Sequence, residues 1–320
     1  MGTAIAPGRQ NWTAHVRCKD GDHTLELQER ELTAERLIRT SRKHSFDPDT
    51  DVDWDVVADP DRFYLPPAMV SLYETPLWDR MTHRQRVELS KRELCSILTF
   101  GISAELALMG ALISHAGSTR YGTAHWAYSL IEVEDECRHS RMFARTVETL
   151  GLEPSPVPFW QAPMARFLAL IDDPMMVFAG ALVVEEYTDS LQRVVMADDA
   201  LHPLFRQVAR IHVIEEARHI RFAREELKRQ VVRRSPAWRR LRAAGFARGM
   251  RLQLSSVIHP SCYTAVGLDP DLARRVARLS PHRRRTEQWL ISKATRFLEE
   301  IGYLDGRARE IWTKAGYLPA

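Results

Sequence analysis

One layout of acidic and histidine residues occurs twice in this chain and restricts what the chain can fold into. Glu136-Cys137-Arg138-His139 and Glu216-Ala217-Arg218-His219 are both Glu-x2-His, and they start 80 residues apart. Thirty-one residues before Glu136 stands Glu105, in the apolar stretch GISAELALMGAL. Thirty-one residues before Glu216 stands Glu185, in the apolar stretch FAGALVVEEY. On a helix, a spacing of three puts Glu and His on one face. Each half therefore offers a helix with one carboxylate and a partner helix with a carboxylate and an imidazole. Folded as antiparallel pairs, the two halves can bring four carboxylates and two imidazoles to one point.

Such a point suits metal ions. A carboxylate inside an apolar helix face is costly unless a cation offsets it, and Glu105 is flanked on both sides by mostly apolar residues. Four carboxylates with two Glu-x2-His motifs are the ligand set of ferritin-like di-iron and di-manganese bundles. Hard oxygen and imidazole donors favour iron or manganese, and the ligand set contains no thiolate for zinc or an iron–sulfur cluster. The fourth carboxylate has two candidates, Glu185 and Glu186, and the equal spacing favours Glu185. The halves differ at one place. His212 lies four residues before Glu216, where Glu132 precedes Glu136. Positions 212, 216 and 219 form one helical stripe, so His212 is either a seventh ligand or a core histidine beside the site. Asp135, Glu215, Arg138 and Arg218 accompany the motifs. They either orient the histidine N–H groups or form ordinary inter-helix ion pairs.

The rest of the 320 residues fits an all-α fold, a ferritin-like four-helix bundle with additional N- and C-terminal helices. The pattern predicts helices over 24–44, from Thr82 to about His115, from about Tyr121 to Leu150, over roughly 163–197, from His202-Pro203 to about Arg234, and near 236–256 and 270–301. Thr82 is the expected N-cap of the first core helix, with Gly117 near its stop; Gly151 ends the second. Pro154, Pro156, Pro158 and Pro163 mark a crossover between the halves. A single domain is expected: a tail over 1–23, an N-terminal helix and wrap over 24–80, the di-metal core over 82–234 and C-terminal helices over 235–320. The longest uninterrupted apolar run, Met175 to Val184, has 10 residues, which predicts no membrane span. Four scattered cysteines (Cys18, Cys95, Cys137, Cys262) and a start without an apolar leader fit a cytoplasmic protein.

At Glu105, Glu136-x2-His139, Glu185 and His212-x3-Glu216-x2-His219 the sequence resembles the AurF-like arylamine N-oxygenases, over about residues 25 to 300. The third histidine carries the distinction from ferritins, ribonucleotide reductase small subunits and desaturases, which generally have two Glu-x2-His motifs without it. The resemblance implies that His212 is a ligand and that two iron ions are bound, with manganese or a Mn/Fe pair as the alternative filling. It also implies O2 as cosubstrate, oxidation of an amine nitrogen to hydroxylamine, nitroso or nitro, a small amine substrate, an external electron donor and a homodimer. Two rival functions stand beside it: a di-metal oxidase or hydroxylase acting at carbon, and a non-enzymatic ferritin-like metal-binding protein.

Gly101 and Ala181 lie one turn, and Leu98 and Phe178 two turns, before Glu105 and Glu185, where they either line a substrate slot or serve close helix packing. Leu94–Ala104 contains no basic residue, which puts a simple aminobenzoate in doubt unless another helix supplies an anchor. The segment 217–251 holds twelve Arg or Lys and two acidic residues, and HRRR follows at 282–285. No nucleic-acid reading module accompanies it, so no nucleic-acid partner is expected. A solvated helix face or a docking surface for an acidic electron donor accounts for it.

Overall fold

The computed structural model describes residues 20–57, 59–156 and 173–319. Among them are thirteen α-helices and no strand: α1 Asp20–Lys43, α2 Pro48–Asp51, α3 Pro76–Arg80, α4 His83–Ser118, α5 Ala124–Thr149, α6 Pro174–Ala197, α7 Pro203–Val232, α8 Pro236–Leu254, α9 Ser261–Thr264, α10 Pro270–Leu279, α11 Pro281–Leu290, α12 Ser292–Glu300 and α13 Gly306–Ala315. The chain stops and restarts at residues that satisfy the orphan backbone groups of helix ends. Thr82 and Gln85 form a reciprocal capping box at α4. Thr123 caps α5 and His202 caps α7 through their side chains. Pro174, Pro203 and Pro236 open α6, α7 and α8 at a position that needs no N–H. Beyond α5, Gly151 takes φ 64, the left-handed conformation that glycine adopts without penalty.

The core is two antiparallel hairpins, α4/α5 and α6/α7, which pack on each other. Residues 119–123 join the first pair and 198–202 the second, and links this short make the joined helices neighbours. Helix α4, with 36 residues, is about 54 Å long at 1.5 Å per residue. Helix α1 lies on α5, and α13 packs on α8, where Trp312 Nε1 donates to the Ala247 carbonyl at 3.0 Å. One apolar cluster runs from Ala34 to Leu318 and ties core and wrap together.

Several expectations change in detail. The expected tail over 1–23 falls mostly outside the described residues, and α1 begins at Asp20. Part of the crossover and of the helix expected from 163, residues 157–172, also lies outside them. Helix α4 runs past His115 to Ser118, close to Gly117, with Thr119 as its C-cap. The helix expected over 270–301 is three helices. Pro281 lacks an N–H and disfavours helical backbone at Ser280, which sits at ψ 123. Ile291 separates the next two. Helix α4 is more apolar overall than its uninterrupted apolar runs suggest. It contains an 18-residue window of mean hydropathy 1.8, long and apolar enough to cross a membrane. Of that window 56% is buried inside the bundle, although Leu106 and Ile113 are exposed.

A buried polar contact fastens the wrap to α4. The Ser71 N–H donates to Glu93 Oε2 at 2.9 Å, the Ser71 hydroxyl donates to Glu93 Oε1, and Tyr263 Oη lies 2.9 Å from the same hydroxyl. Burial pushes the Glu93 carboxyl up to about 6, partly opposed by Ser71 and Arg283. The native state thus holds this proton more tightly than the unfolded chain does. Its stability falls as pH rises from the ordinary carboxylate range to about 6, by about 2 kcal/mol from this group. Urea unfolding at pH 4 and pH 7 should show that loss in the wild type relative to Glu93→Gln. A second prediction concerns Gly101, where a Cβ would sit 3.2 Å from the Phe143 ring. Gly101→Val should overfill the site and lower stability by about 1–3 kcal/mol in the same assay.

Candidate metal centre

Each core helix delivers its share of the duplicated layout to the bundle interior. Glu105 comes from α4, Glu136 and His139 from α5, Glu185 from α6, and His212, Glu216 and His219 from α7. All seven are buried, none more than 4% exposed. Four overlapping groups have one ligand atom per residue within 4.8 Å of one another: Glu136, His139, Glu216 and His219; Glu105, His139 and His212; Glu185, His212 and Glu216; and Glu105, Glu136 and Glu185. Glu186 is in none of these groups and pairs instead with Arg224.

The imidazoles point one nitrogen inward and one outward. His139 Nδ1 lies 3.0 Å from Glu136 Oε2 and 3.2 Å from Glu216 Oε1. His219 Nδ1 lies 3.0 Å from Glu216 Oε1 and 2.9 Å from Glu136 Oε1. On the outer side the halves cross. His139 Nε2 meets Glu215 Oε2 at 2.9 Å, and His219 Nε2 meets Asp135 Oδ2 at 3.2 Å. The acid preceding each motif therefore orients the histidine of the other motif. Arg138 donates to both acids, at 3.0 Å to Glu215, and Arg218 donates to Asp135 at 2.8 Å. Burial raises Asp135 and Glu215, but their histidine and arginine partners outweigh it and hold both carboxyls below the ordinary range. Acceptor-only carboxylates make each Nε2 the donor, which leaves each Nδ1 a lone pair facing the central carboxylates.

Lone pairs facing carboxylates need a cation between them. Glu105 Oε2, Glu216 Oε2 and His212 Nδ1 are buried without a hydrogen-bond partner. His212 Nε2 faces the cluster, 3.5 Å from Glu105 Oε1 and 3.6 Å from Glu216 Oε1. Burial and the neighbouring carboxylates drive Glu105 and Glu185 well above the ordinary range. Burial lowers His139 and His219, yet the surrounding carboxylates raise both well above the usual histidine value. At His212 burial outweighs the pull of Glu216 and Glu136, with His139 and His219 adding to it, and takes the imidazole down to about 4. The charge of four central carboxylates is thus offset either by protons on these groups or by two divalent ions. Asp135 and Glu215 are matched by Arg138 and Arg218. The donor set fits a di-metal centre in number, hardness and charge.

The four residues considered for a substrate slot are packed. Leu98 and Phe178 are buried, and Ala181 is partly buried. Gly101 admits the Phe143 ring, whose centroid lies 4.9 Å from that of His212. Phe178 stands edge-on to His115 at 5.2 Å. Phe143 was missed by sequence reasoning, although its position four residues after His139 places it on the ligand stripe. Tyr128 and Glu132 were not assigned roles either. They are buried on the same stripe as Glu136 at a spacing of four, and the Tyr128 hydroxyl and Glu132 Oε2 lack partners.

Comparison with known proteins decides between the fold's possible relatives. The family p-aminobenzoate N-oxygenase AurF matches residues 27–302. The chain belongs to the AurF family. Membership and the buried cluster together make it a di-metal oxygenase or oxidase. Proteins similar to this chain include uncharacterized proteins of Mycobacterium tuberculosis (strain CDC 1551 / Oshkosh) and Mycobacterium bovis. Each is 28% identical over 288 residues, covering 86% of this chain and 84% of the relative. Among solved structures, an R2-like ligand-binding oxidase with an aerobically reconstituted Mn/Fe cofactor aligns at 16% identity, TM-score 0.44 and 90% coverage of both chains.

The crossed straps predict how the centre responds to substitution and pH. Asp135→Asn removes the carboxylate that orients His219 and should weaken iron binding about 10–100-fold, read by competition against a chromophoric chelator. Ions displace protons from Glu105, Glu185, His139 and His219, so iron affinity should rise with pH. Affinity unchanged between pH 6 and pH 8 would contradict that proton exchange.

Proposed function

We propose that this AurF-family protein is a di-iron N-oxygenase that oxidises the amine nitrogen of a small aromatic substrate with O2. Glu105, Glu136, His139, Glu185, His212, Glu216 and His219 are the ligands in this reading. The single observation that carries it is the third imidazole, His212, turned into the cluster beside Glu105 and Glu216, in a chain whose family is described as an N-oxygenase. Two iron ions held by these residues would supply the electrons that activate O2. In the first step one oxygen atom enters an N–H bond to give the hydroxylamine, and the other leaves as water. Two electrons from an external donor and two protons complete the balance.

The protein's own part is positional and electrostatic. Arg138 and Arg218 fix Asp135 and Glu215, and these fix His219 and His139. The Phe143 ring packs against His212 and covers that side of it. Glu132 is pushed well above the carboxylate range, chiefly by burial, and so holds a proton one turn from Glu136. The electron donor in this reading is a protein with an acidic face that meets the arginine-rich surface of α7 and α8.

The test is product analysis. Iron-loaded, chemically reduced protein is exposed to 18O2 with p-aminobenzoate and with neutral arylamines, and products are read by mass spectrometry. A labelled hydroxylamine, nitroso or nitro product supports nitrogen oxidation. Label on carbon, or reduced iron consumed with no labelled amine product across the panel, overturns it. His212→Ala should keep the bundle folded by circular dichroism and lower the labelled product by at least about 100-fold, a loss of roughly 3 kcal/mol in barrier lowering.

A further inference from the structure

A second polar cluster lies inside the same bundle, toward one end. His115 is in the last turn of α4, His125 at the start of α5, and Glu226 in the last two turns of α7. His125 and Glu226 are each 1% exposed, and His115 is half-buried. They follow or precede the ligand positions on their own helices: His115 ten residues after Glu105, His125 eleven before Glu136, Glu226 seven after His219. That puts them about 10–16 Å along the bundle axis from the di-metal ligands. Phe222 stands between, with its ring 5.0 Å from His125, 4.9 Å from Tyr128 and 5.8 Å from Phe178. An aromatic layer therefore separates the two clusters.

The spacing of the three side chains admits a metal ion. His115 Nε2 and His125 Nε2 are 2.9 Å apart. Two imidazole nitrogens bound to one ion at about 2.0–2.1 Å stand about 2.9–3.4 Å apart, for angles from square to tetrahedral. One ring nitrogen of each histidine and one Glu226 oxygen lie within 4.8 Å of one another. A hydrogen-bonded chain accounts for only one of the two contacts, since His125 Nδ1 is 3.7 Å from Glu226 Oε1, beyond hydrogen-bond reach. Burial, with Arg30, His115 and Arg229 nearby, keeps His125 neutral, with a lone pair to offer. Arg229 donates to Glu226 Oε1 at 2.6 Å, and a carboxylate accepts a second partner beside it. Glu31 anchors the region by accepting from the Ala124 and His125 N–H groups at 2.6 and 3.3 Å.

We propose that His115, His125 and Glu226 form a third, mononuclear metal site for a borderline divalent cation of the zinc type, distinct from the di-metal centre. Two imidazoles and one carboxylate are donors that such ions accept readily. The ion ties together the ends of three core helices that are far apart in sequence. It also stiffens the end of the bundle where α4 turns into α5.

The test counts metals. Iron-reconstituted full-length protein is incubated with Zn2+, freed of loose metal by gel filtration and analysed by inductively coupled plasma mass spectrometry. The wild type should hold about one zinc per chain with its iron content unchanged. His115→Gln and Glu226→Gln should lose that zinc and keep their iron. A Glu136→Ala/Glu216→Ala variant, crippled at the di-metal ligands, should still bind the zinc, so failure of one reading is separable from failure of the other. Wild-type crystals soaked in zinc provide a check that needs no substitution: the anomalous peak at the zinc edge should fall between the His115 and His125 rings. No zinc beyond what displaces iron, full zinc retention in His115→Gln, or an anomalous peak elsewhere would overturn the site.

Discussion

Four carboxylates and three imidazoles share one buried space in the middle of this bundle, and the rest of the structure answers to that. Each buried ionised carboxylate carries a desolvation penalty of several kcal/mol even after relaxation. Four together also repel one another. The arrangement holds only because cations enter it, as protons on Glu105, Glu185, His139 and His219 or as a pair of divalent ions. The apolar helices do not create this site by packing alone. They enclose a charge that must be neutralised, and so they bind what neutralises it.

The crossed straps turn that charge into a defined geometry. Asp135 holds His219 and Glu215 holds His139, so each hairpin steadies the imidazole of the other. Arg138 and Arg218 lie across the seam and hold both acids. The layer needs both halves to be docked before either histidine is oriented. Docking of α4/α5 on α6/α7 and assembly of the centre are thus one event. The duplication in the sequence is what makes this exchange symmetric.

The halves are not identical, and the difference is chemical. Where α7 places His212, α5 places Glu132. One side of the cluster therefore has a nitrogen donor that burial keeps neutral, and the other has a carboxyl that burial keeps protonated. Phe143 lies on the nitrogen side, and Tyr128 stands one turn beyond Glu132. An asymmetric surround for two otherwise equivalent ions gives a small oxidant or substrate a preferred side of approach.

Much of this was legible before folding, because it depends on spacing along a helix. A three-residue interval puts Glu136 with His139 and Glu216 with His219 whatever surrounds them, and the 31-residue intervals mark Glu105 and Glu185 on the partner helices. Caps at Thr82 and His202 are local chemistry and could be read directly. The Ser280-Pro281 break is local too, since the proline disfavours helix at the residue before it. Other decisions needed the third dimension. Glu185 rather than Glu186 faces the cluster because helix rotation within the bundle hands Glu186 to Arg224. The partners of Asp135 and Glu215 are histidines 84 and 76 positions away, and His115, His125 and Glu226 come from three separate helices. Local spacing determines which residues share a face; only the packing of one face against another determines whose charge each of them meets.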